Sequence, residues 1–177
     1  KHNNPCGVAL GKDLNEAYLK AFDCDPISAF GGIIGLNQPV TKEIAKHAKD
    51  VFLEVIIAPD FTSEALEILK AKKNLRLVRV NTDLLDYKFS QKNAIKVLPF
   101  GVLVQTPDQA ELTKDTFKVV TETKPTEEQV EDMVFAWKVA KHVSSNAIVV
   151  AKNKRAIGIG AGQTSRIASM EIALNKA

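Results

Sequence analysis

Cysteine is scarce in this sequence, and the closely spaced cysteine pairs that mark many metal and redox sites are absent. Cys6 and Cys24 are the only two among 177 residues, and no C-x-x-C motif occurs. Small secreted domains that depend on disulfides usually carry more cysteines than this. We therefore predict two free thiols in a reducing compartment, which indicates a cytoplasmic protein.

Long hydrophobic runs are missing as well. A membrane-spanning helix needs about 20 mainly apolar residues, and no stretch of the chain approaches that length. No signal peptide is visible, so we expect no membrane partner. Because the chain starts at Lys1 rather than at a methionine, we also expect it to be a segment of a longer protein.

The sequence has little excess of either charge. Its 24 Lys and Arg residues and 21 Asp and Glu residues give a net charge of +3, and both signs are interspersed. This balance does not indicate a basic nucleic-acid-binding surface, so we expect no nucleic-acid partner. The cluster of Lys70, Lys72 and Lys73 is predicted to be the solvated end of a helix. Hydrophobic residues make up 45%, enough for a globular core.

The residue pattern of a bound metal is also absent. His2, His47 and His142 lie far apart in the sequence, and none has a second histidine one helical turn away. A zinc deaminase requires H-x-E and a later P-C-x-x-C. Here Pro5-Cys6 is followed by Gly-Val-Ala, so the second cysteine is missing. We predict no metal site and, in particular, no zinc.

Hydrophobic periodicity alternates between helical and strand-like, which is typical of an α/β fold. Residues that favour helix N-termini begin the helical stretches: Asp13, Thr41, Thr62 or Ser63, a capping box from Thr126 to Gln129, and Gly162 to Ser165. Between them, apolar runs predict strands at 33–36, 54–58, 75–80, 100–104, 146–151 and 156–160. Residues 25–32 and 81–97 are predicted to be irregular.

A polar stretch divides the chain into two predicted units. The first covers about 1–105, an exposed connection covers about 106–124, and the second covers about 125–177. In each unit a helix leads to a polar side chain, Glu54 or Asn146, at the mouth of an apolar strand. A duplicated α/β unit is one explanation of this likeness, and coincidence is the other.

The dipeptide Lys1-His2 has the residue types of a proton-transfer site. The unperturbed pKa of histidine is about 6.5, so the side chain accepts a proton near neutral pH. A neighbouring ammonium group lowers the pKa of that histidine and stabilises developing negative charge. Taken without context, such a pair is more often an ordinary surface feature.

The stretch from Gly158 to Gln163 lies between a predicted strand and a predicted helix. It lacks the third glycine of a dinucleotide fingerprint and the Gly-Lys of a P-loop. A tight turn followed by Arg166 in the first helical turn suits an anion or a polar ligand. A plain strand-to-helix turn with an exposed arginine is the alternative. Glu54 is either a carboxylate at a solvent-exposed strand end, which is the commoner case, or part of a pocket for a cationic or amide group. Asn146 either offers its amide to a ligand or only ends the preceding helix.

Four stretches together resemble AICAR transformylase, the part of a bifunctional purine biosynthesis family that accompanies IMP cyclohydrolase. They keep the order of that family along nearly the whole chain. The stretches are Lys1 to Gly7, Asp25 to Gly32, Phe135 to Val139 continuing into His142 and Ser145 to Val149, and Gly158 to Arg166.

The resemblance implies a reaction and a set of site residues. It implies transfer of a formyl group from 10-formyltetrahydrofolate to the 5-amino group of AICAR, giving FAICAR in purine biosynthesis. His2 would be the base that removes a proton from the amine, and Lys1 would stabilise charge during transfer. The nucleotide contacts implied by the resemblance are Gly31, Glu54, Asn146 and Arg166, and Ile167 would lie against the folate.

The resemblance also implies architecture and partners. The expected fold is a layered α/β/α arrangement similar to that of cytidine deaminase but without zinc. A monovalent cation held by the carbonyls of 143–146 is conceivable from the resemblance, although no sequence rule supports it. A homodimer with shared active sites is implied, with a nucleotide and a folate as small-molecule partners. The cyclohydrolase domain and a C-terminal part would be absent here. Two rival functions stay open: a non-catalytic nucleotide-binding or dimerisation module, and a deaminase-like hydrolase.

Overall fold

The computed structural model describes residues 3–81, 93–108 and 110–177, and within them it is a mixed α/β structure, as predicted. The helices are α1 (Leu14–Phe22), α2 (Pro26–Ala29), α3 (Lys42–Asp50), α4 (Ser63–Leu69), α5 (Glu127–Ala140) and α6 (Arg166–Lys176). The strands are β1 (Gly32–Gly35), β2 (Leu53–Ala58), β3 (Arg76–Arg79), β4 (Ala94–Leu98), β5 (Gly101–Gln105), β6 (Ile148–Lys152) and β7 (Arg155–Gly160). A short 3-10 helix covers Lys114–Thr116. None of the described helices has the length and apolarity to cross a membrane.

The predicted N-caps are confirmed. In each case a short polar side chain accepts a hydrogen bond from a backbone N–H three residues ahead, which satisfies a group that the helix leaves unpaired. Thr126 and Gln129 form the reciprocal bonds of the predicted capping box. The other caps are Asp13, Thr41, Thr62 and Ser165. The two described cysteines are free, as predicted.

Two segments differ from the prediction of irregular structure. Pro26–Ala29 forms the single turn α2, because the Asp25 carboxylate caps Ser28 N–H and proline occupies the first helical position. Ala94–Leu98 forms β4, which pairs antiparallel with β5. The side chains of this hairpin are largely exposed, so burial imposed no alternation on its sequence that periodicity could detect.

The first core lies between a three-stranded parallel sheet and helices α1, α3 and α4. The strand order is β1-β2-β3, and α3 and α4 connect successive strands. Buried side chains from both layers interlock, with Ile44, Ile56 and Leu69 each at most 1% exposed. Tyr18 and Leu14 of α1 complete this core.

Lys72 corrects the prediction of a solvated lysine cluster. Its Nζ donates hydrogen bonds to the backbone carbonyls of Ala48, Lys49 and Val51 at the end of α3. The last carbonyls of a helix have no partner within it, and a cation there also meets the negative end of the helix dipole. Lys70 and Lys73 are exposed, as predicted.

The second core is built from α5, the β6–β7 hairpin and α6. Its buried members are Phe135, Val139, Val143, Ala156 and Ile159. The hairpin turns at Asn153 and Lys154, both with positive φ, and Asp132 of α5 accepts their two N–H groups. Two consecutive positive φ values match the twist that a two-residue hairpin turn requires.

Two glycines of β7 let α6 approach unusually closely. A Cβ atom on Gly158 would lie 1.9 Å from the carbonyl oxygen of Ala173, and one on Gly160 would lie 1.9 Å from that of Ser169. Both obstacles are backbone atoms, which cannot rotate away. These glycines therefore allow α6 to pack closely on β7. The sequence leaves open whether their stretch serves a ligand or a plain turn, and packing accounts for these two positions.

We expect Gly158→Ala to lower the free energy of unfolding by about 3 kcal/mol, because the added methyl group must push α6 away from β7. Gly35→Ala is the matched control, since a Cβ on Gly35 of β1 meets nothing within 4 Å. Urea unfolding of both variants measures the difference. Equal midpoints for the two variants would contradict the close packing of α6 on β7.

Candidate active site where three loops meet

The segment that follows Lys1 and His2 is held against the second core. Asn4 Oδ1 accepts a hydrogen bond of 2.7 Å from Ser144 N–H. Further along, Ala156 N–H donates to Val8 O and Leu10 N–H donates to Lys154 O, both at 2.9 Å. The segment thus runs beside β7. Lys1 and His2 themselves lie outside the described residues, so their catalytic roles stay predictions.

Asn146 joins the loop before β6 to the loop before α6. Its backbone exchanges hydrogen bonds with Gln163, at 3.1 and 3.4 Å. Its side-chain Nδ2 donates to the carbonyls of Gln163 and Thr164, at 2.9 and 3.2 Å. The side-chain Nδ2 is thereby engaged with the protein. What Asn146 has left to offer a ligand is its acceptor Oδ1, which suits an amino group.

Ser169 fixes the backbone of Asn146 to α6, a role that sequence reasoning missed. The residue is completely buried, and its Oγ donates to Asn146 O at 2.8 Å. On the same loop, Gly162 has φ of +65° and its N–H donates to Ser144 O at 2.8 Å. The peptide bond between Ser145 and Asn146 is cis. A serine on the apolar face of a helical stretch was the available signal for Ser169.

Arg166 and Ile167 are the first two residues of α6, just beyond the Ser165 cap. Both side chains are exposed, and that of Ile167 is 66% exposed. A helix N-terminus favours a negatively charged group, and Arg166 adds a cation at the same place. The loop bonds described above bring Asn146 to this end of α6, so the structure unites three of the predicted site residues.

Gly31 and Glu54 form a second predicted group, at the amino end of the parallel sheet. Gly31 has φ of +66°, and its N–H donates to Phe52 O at 2.8 Å. Glu54 lies in β2, two residues after Phe52 in the sequence. Its Oε2 is 2.8 Å from Arg76 Nη1 of β3. Sequence reasoning missed Arg76. Both side chains of this pair are exposed enough that it contributes at most about 1 kcal/mol.

A cavity of about 360 Å³ lies where the motif-bearing segments converge. Its walls come from the N-terminal loop, α2, the end of β7 and α6, and include Asn4, Cys6, Ser28, Ala161, Gln163 and Lys176. The predicted contacts do not line it themselves, but Gln163 is hydrogen-bonded to Asn146. A larger open groove of about 920 Å³ follows α5 and the β6–β7 hairpin, and no predicted site residue lines it.

An ion pair lies beside this cavity, since Lys176 is one of the lining residues. Lys176 Nζ at the end of α6 is 2.6 Å from Asp25 Oδ2, and the Asp25 side chain is 12% exposed. Burial by itself raises the pKa of the Asp25 carboxyl, but hydrogen bonds from Lys176 and Ser28 outweigh it and hold that pKa below its ordinary value. The pair thereby connects α6 to the segment that leads to Gly31.

Together, these elements define an α/β protein whose predicted site residues, in the described part of the chain, lie in loops and at the ends of strands and helices. A family model described as the AICARFT/IMPCHase bienzyme matches residues 1–176. The chain therefore belongs to the AICARFT/IMPCHase bienzyme family.

Curated relatives agree with this assignment, and several are named bifunctional purine biosynthesis protein PurH. The protein from Rippkaea orientalis is 53% identical over 177 residues, which cover 100% of this chain and 34% of the relative. The proteins from Caldicellulosiruptor saccharolyticus and Bacillus cytotoxicus are 49% and 47% identical and cover 99% and 100% of this chain, again over 34% of each relative. The chain thus spans about a third of the length of these relatives.

We expect Lys176→Gln to raise the pKa of Asp25, because the strongest of the interactions that lower it is lost. A carboxyl with a depressed folded-state pKa stabilises the fold above its unfolded pKa of about 3.9 and loses that contribution as pH falls through the folded value. The free energy of unfolding of the variant should therefore be lower than that of the wild type by about 1 kcal/mol near neutral pH. The difference from wild type should shrink in acid.

Urea unfolding as a function of pH measures this, together with a carboxyl-carbon NMR titration of Asp25. Lys46→Gln is the control, since it removes one exposed lysine from α3 without touching Asp25. A destabilisation by Lys176→Gln that stays constant from neutral to acid pH would contradict the charge interaction.

Proposed function

We propose that this chain is part of an AICAR transformylase, which moves a formyl group from 10-formyltetrahydrofolate to the 5-amino group of AICAR and yields FAICAR. Membership of the family over residues 1–176 supports this function. Because the chain spans about a third of its relatives, we propose the activity for the full-length protein. The rest of that protein would carry the IMP cyclohydrolase and the later transformylase segment.

The observation that carries the proposal is the convergence of the motif-bearing loops. The segment following Lys1-His2 is bonded to Ser144, and Asn146 is bonded to the loop that leads into Arg166. A transferase for two large substrates needs its base, its binding groups and its charge-stabilising group at one place. Such an arrangement gives motifs that are far apart in the sequence a common purpose.

The chemistry requires a base and an electrostatic partner. The 5-amino group of AICAR is conjugated with a carboxamide-bearing ring and is a weak nucleophile. Its nitrogen attacks the formyl carbon while His2 takes the proton, and Lys1 stabilises the negative charge on the formyl oxygen. The bond from the formyl carbon to the folate nitrogen then breaks, and that nitrogen takes up a proton.

The described residues supply binding and orientation. Asn146 Oδ1 is an acceptor for an amino hydrogen of AICAR, since Nδ2 is engaged with Gln163 and Thr164. Arg166 at the N-terminus of α6 suits the 5′-phosphate, and the adjacent exposed Ile167 offers an apolar surface to the folate. Gly31 and Glu54 would contact the nucleotide from the side of the parallel sheet, with Arg76 beside Glu54.

We propose the finer architecture on the same basis. A layered α/β/α fold similar to cytidine deaminase is supported by α3 and α4, which pack together beside the parallel sheet. The helix-to-strand passages α3 to β2 and α5 to β6 support a duplicated unit, although β2 has parallel neighbours and β6 is in an antiparallel hairpin. The division at about 106–124 rests on the polar sequence and the exposure of that stretch.

Partners and location belong to the proposal as well. We propose a homodimer with shared active sites, and the exposed apolar side chains of the β4–β5 hairpin, such as Val97 at 77% and Phe100 at 89%, support burial against further protein. We propose a cytoplasmic location. The monovalent cation stays a prediction.

In the full-length protein, we expect His2→Ala to lower kcat for formyl transfer by roughly 10²- to 10⁴-fold, because general base catalysis supplies about that factor. AICAR binding, measured by calorimetry, should weaken only a few-fold. His142→Ala is the matched control, since that histidine is exposed beyond the end of α5.

Each rival function has its own outcome. Wild-type turnover by His2→Ala would remove the base assignment. Binding of AICAR without any formyl transfer by the wild-type protein would favour a non-catalytic module. Release of ammonia together with a stoichiometric metal would favour a deaminase-like hydrolase, and the described residues contain no cluster of three metal-binding side chains.

A further inference from the structure

One hydrogen bond between residues 140 positions apart connects the N-terminal loop to the rest of the site. Asn4 Oδ1 accepts from Ser144 N–H at 2.7 Å, the shorter end of the range for such bonds. Among the described residues, this is the hydrogen bond to the second core that lies nearest to His2 in sequence. The next ties, at Val8 and Leu10, use backbone atoms.

The backbone N–H that Asn4 contacts belongs to Ser144, and Ser144 is itself bonded to the loop that leads into α6. Ser144 O accepts from Gly162 N–H at 2.8 Å, and two residues later Asn146 is bonded to Gln163 and Thr164. The loop before β6 is thus bonded on one side to the loop that leads into α6 and Arg166, and on the other side to the N-terminal loop. Asn4 is the side chain that makes the second connection.

We infer that Asn4 is a positioning residue for formyl transfer, which holds the segment bearing Lys1-His2 against the loop that bears Asn146. This inference rests on the proposed function. Two residues of chain reach at most about 7 Å, so a fixed Asn4 restricts the space available to the preceding base. A misplacement of about 1 Å can cost on the order of 10²-fold in rate.

The bond is poorly suited to a purely structural role. It is exposed to solvent, so water replaces it at Ser144 N–H when the side chain is removed, and the net loss of stability is small. The backbone ties at Val8 and Leu10 remain. The effect of Asn4 is therefore expected in catalysis rather than in folding.

In the full-length protein, we expect Asn4→Ala to lower kcat for formyl transfer roughly 10- to 100-fold. The KM for AICAR and the urea midpoint should change little. Asn4→Asp keeps an acceptor oxygen at the same place and should retain most of the turnover, with the acidic limb of its pH–rate profile moved to higher pH by the added negative charge. Asn3→Ala is the matched control, since it removes the adjacent, exposed amide.

A double-mutant cycle separates positioning from other effects. If Asn4 acts by orienting His2, the change Asn4→Ala should have little further effect once His2→Ala is present. Protection of the Ser144 amide from hydrogen exchange should fall in Asn4→Ala and persist in Asn4→Asp, which reports on the bond itself.

Several results would overturn the inference. These are equal kcat values for Asn4→Ala and Asn3→Ala, additive losses in the cycle with His2→Ala, or unchanged exchange of the Ser144 amide. Each leaves the proposed function intact as long as wild-type protein transfers formyl groups. Absence of formyl transfer by the wild-type protein is the separate result that defeats the proposed function and this inference together.

Discussion

Carbonyl oxygens of α6 occupy the space where Cβ atoms of Gly158 and Gly160 would stand, and the rest of the site depends on this close contact. It sets the height of α6 above β7 and therefore the position of Arg166 and Ile167 at the start of that helix. The buried hydroxyl of Ser169 then fixes the Asn146 backbone to the same helix. Packing in the second core thus determines where the predicted ligand-binding residues lie.

Around this rigid contact, polar interactions connect segments that the cores do not. Lys176 and Asp25 join the end of α6 to α2, and Asn4 joins the N-terminal loop to Ser144. Such bonds contribute little to global stability, because most of their groups remain near water. Their value lies in geometry, since the proposed transfer between two bound substrates would be sensitive to small displacements.

Local structure was predictable at most helix starts, where a residue acts on its own neighbourhood, although the local cap of α2 by Asp25 was missed. The caps at Asp13, Thr41 and Thr126 each bond a backbone group three residues ahead, so their signal is contained in a few letters. Prediction was wrong where a partner outside the predicted segment decided the outcome. Lys72 was predicted to be solvated, but the end of α3 lies beside it and accepts its hydrogen bonds. Ala94–Leu98 was predicted to be irregular, but it forms β4 because it pairs with β5, not because it is buried.

The sequence by itself determined the α/β class, most of the helix starts and the family, because these depend on local bonding, hydrophobic period and motif order. Only the tertiary structure decided which loops meet, that Gly158 and Gly160 serve packing, and that Asn146 turns its amide hydrogens toward Gln163 and Thr164. The physical reason is the distance in sequence between the interacting residues. An asparagine or a glycine has the same local chemistry at many positions, and its partner across 17 or 140 residues is selected by how the cores pack.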